Sequence, residues 1–189
     1  MLIEPKMLRT DFFPFPEIGT RRLLLRRIHA GDASAVQFLR SQEAVMKYID
    51  RKRLTSIEEA LAFITGINES IDSQNGITWG ISMNTQPAIL IGHIGFWRLI
   101  KEHYRAEVGY LLHPDYWKLG IMKEALLPVI HYGFHQMGLH SIQANIHAEN
   151  TASARLLVSA GFVKEAHFRE DFYFDGRFRD TIIYSLLKS

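Results

Sequence analysis

The chain has 189 residues, 47% of them hydrophobic and 22% charged, which fits one soluble domain with a substantial core. It has no cysteine, so disulfides, thiolate metal sites and a cysteine nucleophile are excluded. A formal net charge of +2, no apolar run near the ~18 residues of a membrane span and no signal-peptide pattern predict a cytoplasmic protein with neither nucleic-acid nor membrane partners.

Residues 1–19, with Pro5, Pro14 and Pro16 around Phe13, read as an extended arm whose aromatics pack on something. Residues 20–189 read as a single domain. Thr20 to Ile28 is an apolar run flanked by arginines, and predicts a strand. Gly31-Asp32 then starts a helix, with Asp32 as N-cap and Ala35, Val36 and Leu39 on one face. A second helix follows Ser56, which forms a capping box with Glu59 ahead of Ala60, Phe63, Ile64 and Ile67.

Strands are expected over Ile77 to Met83, Ala88 to Leu99 and Arg105 to Leu112, the first two separated by a turn at Asn84 to Pro87. A helix begins near Gly120, is kinked at Pro128 and closes at Gly138. Ser141 to His147 alternates as a strand, and Asn150 to Ser159 is a helix ended by Gly161. A hairpin, His167 to Phe174 with Phe178 to Leu187, turns at Asp175-Gly176. The order predicts one mixed α/β domain.

The segment Glu107 to Leu126 carries the most chemistry. A glycine at a strand-to-helix junction, here Gly120, lets several backbone N–H groups approach one anion, and the positive end of the helix dipole favours a phosphate there. Metal chemistry is not expected. Among nine histidines, His131 and His135 have helical spacing, but Tyr132 stands where a His-Glu-x-x-His site has its glutamate.

The element order and several short motifs resemble the GNAT superfamily of acetyl-CoA-dependent N-acetyltransferases over residues 20–189. Trp117, Lys118, Leu119, Gly120, Ile121 and Met122 align with its phosphate loop, Gln/Arg-x-x-Gly-x-Gly/Ala, keeping the central glycine literally. Thr20 to Arg26, Glu124-Ala125, Asn150-x-x-Ser153-Ala-Arg155, Gly161-Phe162, and Asp175-Gly176 ahead of Asp180 to Leu187 are similar to the ribosomal-protein N-terminal acetyltransferase branch. Lys118 and Met122 depart from the small residues common in the loop. Backbone donation survives such changes, and Lys118 either adds a point charge to a phosphate or is solvated.

The resemblance implies a mostly antiparallel, twisted sheet flanked by helices, with splayed middle strands and acetyl-CoA as co-substrate. Tyr110 and Leu112 would contact the pantetheine through backbone groups, as an added strand would. A strand-end N–H near Leu112 would polarise the thioester carbonyl. Lys118 to Met122 would hold the pyrophosphate, Asn150 would reach the pantetheine, and Arg155 would approach the cofactor or stay solvated. Glu107 is expected as general base, directly or through water; the alternatives are a strand-surface carboxylate and one that merely binds the substrate cation. Many relatives carry an acidic tyrosine seven residues after the asparagine, where this chain has Leu157. The ribosomal-protein branch implies Ser153 as the replacement proton donor, directly or through water; the alternative is a small residue that permits close packing.

The resemblance implies a primary amine as acceptor. An α-amino group of pKa about 8 costs roughly 1.4 kcal/mol to deprotonate at pH 7, against roughly 4.6 kcal/mol for a lysine. One weak base therefore suits a protein N-terminus. The alternatives are a small amine (a polyamine or antibiotic), and a catalytically silent acyl-CoA-binding regulatory module. Trp79, Trp97 and Tyr173 are candidates to wall the acceptor pocket or to pack in the core. Relatives commonly dimerise, which makes a homodimer possible.

Overall fold

The β-rich runs assemble into one sheet. In the computed structural model, which describes residues 8–188, its strands are β1 (Ile18–Gly19), β2 (Leu23–Arg26), β3 (Ile77–Met83), β4 (Gln86–Ile100), β5 (Arg105–Leu112), β6 (Ser141–His147), β7 (Val163–Phe174) and β8 (Arg177–Leu187). Their order is β1-β2-β3-β4-β5-β6-β8-β7. Every neighbouring pair is antiparallel except β5 with β6. That parallel pairing covers only Arg105 to Glu107 opposite Ser141 to Gln143. Both strands continue beyond it, so they part after Glu107, and the expected splay is present.

Five α-helices flank the sheet: α1 (Ala33–Ser41), α2 (Glu43–Met46), α3 (Ile57–Asp72), α4 (Ile121–Tyr132) and α5 (Thr151–Ser159). The larger core joins Ile121, Leu126 and Val129 of α4 and Leu157 of α5 to Ile94, Phe96, Val108 and Leu112. A smaller one joins Val36, Leu39, Ala60 and Ile64 of α1 and α3 to Leu90 and Leu111. Leu111 and Leu112 alternate across β5, so the two cores lie on opposite faces of the sheet.

Three local expectations are refined. Asp32 stands at the start of α1 without capping it. Its carboxylate accepts two bonds from Arg26, at 2.8 and 2.7 Å, and one from His29 N–H, because charge-assisted bonds outcompete a helix N–H. At α3, Ser56 Oγ accepts from Glu59 N–H, but Glu59 reaches back to Thr55 N–H rather than to Ser56. Pro128 lies inside α4, which runs on to Tyr132, and Gly133–Met137 follows as a π turn closed by Gly138 at φ 84°.

The part of the N-terminal arm from residue 8 onward packs on the domain; residues 1–7 lie outside the described region. Arg9 N–H donates to Met137 C=O, Phe12 is buried, and Trp79 Nε1 donates to Pro16 C=O at 2.6 Å. No helix among the described residues is long and apolar enough to cross a membrane.

Candidate functional site

The gap between β5 and β6 organises the site. His113 N–H bonds Ile91 C=O on β4, and no register shift interrupts the pairing from Gly92↔Leu112 to Trp97↔Glu107. Alternation along an antiparallel pair then turns the backbone groups of Tyr110 and Leu112 away from β4, toward the gap. One of these groups is already used: Trp117 Nε1 donates to Leu112 C=O at 2.7 Å. The Leu112 N–H and both main-chain groups of Tyr110 are what β5 offers a ligand there.

At the end of β5 the chain makes a short turn into α4. Gly120 occupies the N-cap position at φ 74°, the left-handed conformation that glycine adopts without a Cβ penalty. Lys118 is also left-handed, at φ 61°, where a side chain is strained. Lys118, Leu119 and Gly120 are exposed, Met122 is half-buried, and Ile121 anchors the helix start in the core. Glu124 in the first turn fastens this corner to the start of β2. It accepts from Thr20 Oγ1 at 2.7 Å, Arg22 N–H at 2.8 Å and Arg22 Nε at 2.6 Å, while Arg22 Nη1 donates to Leu119 C=O. Burial pushes the Glu124 carboxyl up, but the bonds from Thr20 and Arg22 outweigh it and hold it below the usual range.

Glu107 is buried at the point where the strands part. Its Oε2 accepts from Arg98 Nη1 at 3.2 Å and from Asn145 Nδ2 of β6 at 3.1 Å. Burial raises its pKa, and the Arg98 charge and hydrogen bond only partly oppose that. Ser153 is buried on α5, and its Oγ lies 2.6 Å from Tyr110 Oη. Burial pushes the Tyr110 phenol up to about 12, so it stays protonated at neutral pH. Asn150 caps α5 by accepting from Ser153 N–H at 3.1 Å, which leaves its amide nitrogen as the group to offer a ligand. Leu157 is fully buried in the core, and Arg155 is exposed.

Glu107, Tyr110, Asn150 and Ser153 line one cavity of about 510 Å³. Arg155 and the turn at Lys118 to Met122 lie outside its lining. Its far wall comes from Tyr48 to Arg51, after α2, and from Asp171 and Phe172 of β7. Asp171 and Phe172 fall in a bulge: four steps on β7, Phe168 to Phe172, face two on β8, Thr181 to Arg179. An Arg179–Asp50 ion pair of 3.0 Å joins β8 to the first of these walls. Of the candidate wall aromatics, Trp97 lines the cavity, Trp79 is wholly buried in the core, and Tyr173 stays exposed on the hairpin. The roles of Arg98, Asn145, Trp117 and the Tyr110 phenol were not legible in the sequence. Each depends on contacts between segments distant in sequence, and Asn145 falls on the ordinary polar phase of its alternating strand.

The His131 and His135 rings lie 4.3 Å apart, and no group of three or more potential metal ligands occurs among the described residues.

Comparison with known proteins identifies the architecture. The acetyltransferase (GNAT) domain family matches residues 22–163. An uncharacterized N-acetyltransferase of Bacillus subtilis, YoaA, is 38% identical over 92% of this chain and 98% of its own. The ribosomal protein uS5-alanine N-acetyltransferase of Escherichia coli is 25% identical over 92% and 91%. Among solved structures, a GNAT-family acetyltransferase of Bacillus anthracis superposes with TM-score 0.80 at 29% identity, covering 91% of this chain and 98% of that one. The fold is also that of a Vibrio cholerae spermidine N-acetyltransferase solved with CoA and spermine, with TM-score 0.78 at 23% identity over 89% and 96%.

Proposed function

The chain belongs to the GNAT acetyltransferase family, and we propose from that premise that it acetylates a primary amine, most fittingly the α-amino group of a protein or peptide N-terminus. The observation that carries this reading is the single cavity lined both by a buried carboxylate, Glu107, and by a hydroxyl pair, Tyr110 and Ser153. A kinship with uS5-alanine N-acetyltransferase supports the choice of acceptor.

The residues fit acetyl-CoA as co-substrate. The gap leaves the Tyr110 and Leu112 backbone groups without a strand partner, and Gly120 adopts the open turn that a pyrophosphate loop needs. Acetyl-CoA supplies the acetyl group as an activated thioester. The free Leu112 N–H and the Tyr110 main-chain groups would pair with the pantetheine amides, and a strand-end N–H near Leu112 would polarise the thioester carbonyl. Lys118 to Met122 would hold the pyrophosphate, with Asn150 offering its amide to the pantetheine and Arg155 adding charge from an exposed position. Glu107 takes the proton that the amine sheds, directly or through water. Ser153 Oγ, held by Tyr110, gives a proton to the departing thiolate.

Thiol release from acetyl-CoA, measured with free-N-terminal peptides and with spermidine, tests the reading. Turnover with peptides that is lost in Glu107→Gln supports it. Tight CoA binding with no turnover of any amine would overturn it in favour of a silent acyl-CoA-binding module, a reading favoured by the buried Leu157 at the usual tyrosine position.

A further inference from the structure

One charge in the cavity has no use in this chemistry. Arg40, in the last turn of α1, lines the cavity yet is only 8% exposed. Its guanidinium carbon lies 4.2 Å from the centroid of the Phe63 ring. The Nε is shielded from solvent and meets no hydrogen-bond partner among the described residues. His93 Nε2, which also belongs to the cavity lining, is shielded and unpartnered in the same way. Burial, reinforced by the Arg40 charge, drives the His93 imidazole down to about 3, so the ring is neutral. An unpaired cation removed from water is costly unless something compensates it.

The other charges around the cavity have partners. Arg98 pairs with Glu107 at 3.2 Å and Arg179 with Asp50 at 3.0 Å. Asp180 bonds His167 at 2.6 Å, and Asp171 accepts from Thr181 N–H at 3.1 Å. Arg51 is exposed, and its Nη1 donates to Asp50 C=O. Arg40 alone among these lining groups is both buried and without a carboxylate at ion-pair distance among the described residues.

Its place relative to the chemistry follows from the sheet. His93 precedes Trp97 by four residues on β4, and Trp97 pairs with Glu107. The Arg40–His93 end therefore lies about 13 Å along the strand from the proposed base. A peptide of three residues, at roughly 3.5 Å each, spans most of that separation.

We propose that Arg40 and His93, backed by Phe63, form a carboxylate subsite, and that the acceptor is an amine carrying a carboxylate about three residues away. The guanidinium pairs with the carboxylate through its Nη groups, and the neutral imidazole beside it adds no competing charge. A polyamine brings a second positive charge toward Arg40 instead, and is disfavoured. The amine half of this assignment rests on the acetyltransferase reading above; recognition of the carboxylate does not require turnover.

The test compares Ala-Ala-Ala bearing a free C-terminal carboxylate, its C-terminal amide, the amide of Ala-Ala-Glu, and spermidine as acceptors. Either carboxylate source should exceed the neutral amide by about tenfold or more in kcat/KM, with spermidine lowest. The two acidic peptides separate a terminal from a side-chain carboxylate. Arg40→Met should abolish the preference while the KM for acetyl-CoA stays unchanged, and Arg40→Lys should keep part of it. Equal use of acid and amide by the unaltered protein overturns the proposal without any variant. So does a preference that survives in Arg40→Met, an effect confined to the KM for acetyl-CoA, or a lead for spermidine. Tryptophan fluorescence, titrated in the presence of CoA with N-acetylated Ala-Ala-Ala acid and amide, gives a readout free of turnover. Tighter binding of the acid with no catalysis would sink the acetyltransferase reading and leave the subsite standing; catalysis without discrimination would do the reverse.

Discussion

Tyr110 Oη and Ser153 Oγ lie 2.6 Å apart, and they join β5 to α5 across the gap in the sheet. The phenol is held protonated by burial, so this pair can hand a proton on without first ionising at neutral pH. Ser153→Ala should lower kcat by about 100-fold with little change in the KM for acetyl-CoA. Tyr110→Phe should cost less, because the serine hydroxyl remains. The double variant should be no worse than Ser153→Ala, since the two groups act in series. Losses that multiply in steady-state kinetics would place the groups in separate roles.

Glu107 has its pKa raised by burial, against the pull of Arg98. The proposed base is active when ionised, so kcat/KM should fall as pH drops through this raised value, above the ordinary glutamate range. Glu107→Gln should remove that acidic limb and about 100-fold of activity. The same shift has a stability counterpart of opposite sense. A raised carboxyl favours folding while protonated, and that contribution is lost as pH rises through the folded pKa. The Gln variant should therefore melt relatively higher as pH rises across that window in thermal scans.

Lys118 holds φ at 61° where the loop would accept a glycine. Relief of left-handed strain in Lys118→Gly should raise stability by up to about 1 kcal/mol. If the lysine charge also meets a phosphate, CoA should bind more weakly in the same variant. Calorimetry of CoA binding set beside denaturant unfolding separates the two effects, and unchanged affinity would make the side chain a solvated one.

Glu124 has three donors from Thr20 and Arg22, which hold the α4 N-terminus to β2. Its pKa is lowered on balance, so its contribution is present above the ordinary glutamate value and is lost as pH falls through the folded one. Glu124→Ala should cost about 2 kcal/mol near neutral pH and much less in acid. Urea titrations at two pH values check this, and a pH-independent loss would point to packing rather than charge.

Asp32 and Arg26 form a buried ion pair at 2.7 Å. Asp32→Ala leaves the arginine buried and alone, and should cost about 3–5 kcal/mol in chemical unfolding. The site lies elsewhere in the sheet, so the kinetics of protein that remains folded should be near normal.

Local structure is legible in the sequence where a single element decides it. Ile77 to Met83, Arg105 to Leu112 and Ser141 to His147 carry their β-branched and alternating patterns to the observed bounds. Gly138, Gly161 and Asp175-Gly176 take the positive φ that their turns require. The four residues of α2 and the two of β1 are too short for any period to show. Contacts that join distant segments escaped as well. Glu107 meets Asn145 only because three parallel pairs align β5 with β6, and Asp171 reaches the cavity only because β7 bulges. Trp79 and Trp97 are chemically alike in the sequence, yet strand register buries one and sets the other beside Glu107.

The brevity of the β5–β6 ladder reaches beyond catalysis. Three residue pairs stitch a five-strand half-sheet to a three-strand one, whereas β6 and β8 share seven. The main-chain ladder between the halves is therefore a short seam, and the larger core, which includes Val108 of β5 and Ile142 of β6, spans it. A molecule whose amides lie in that seam supplies rungs the chain itself lacks and joins the halves into one cooperative unit. The resting protein gives up continuity of its sheet at the place proposed for its co-substrate.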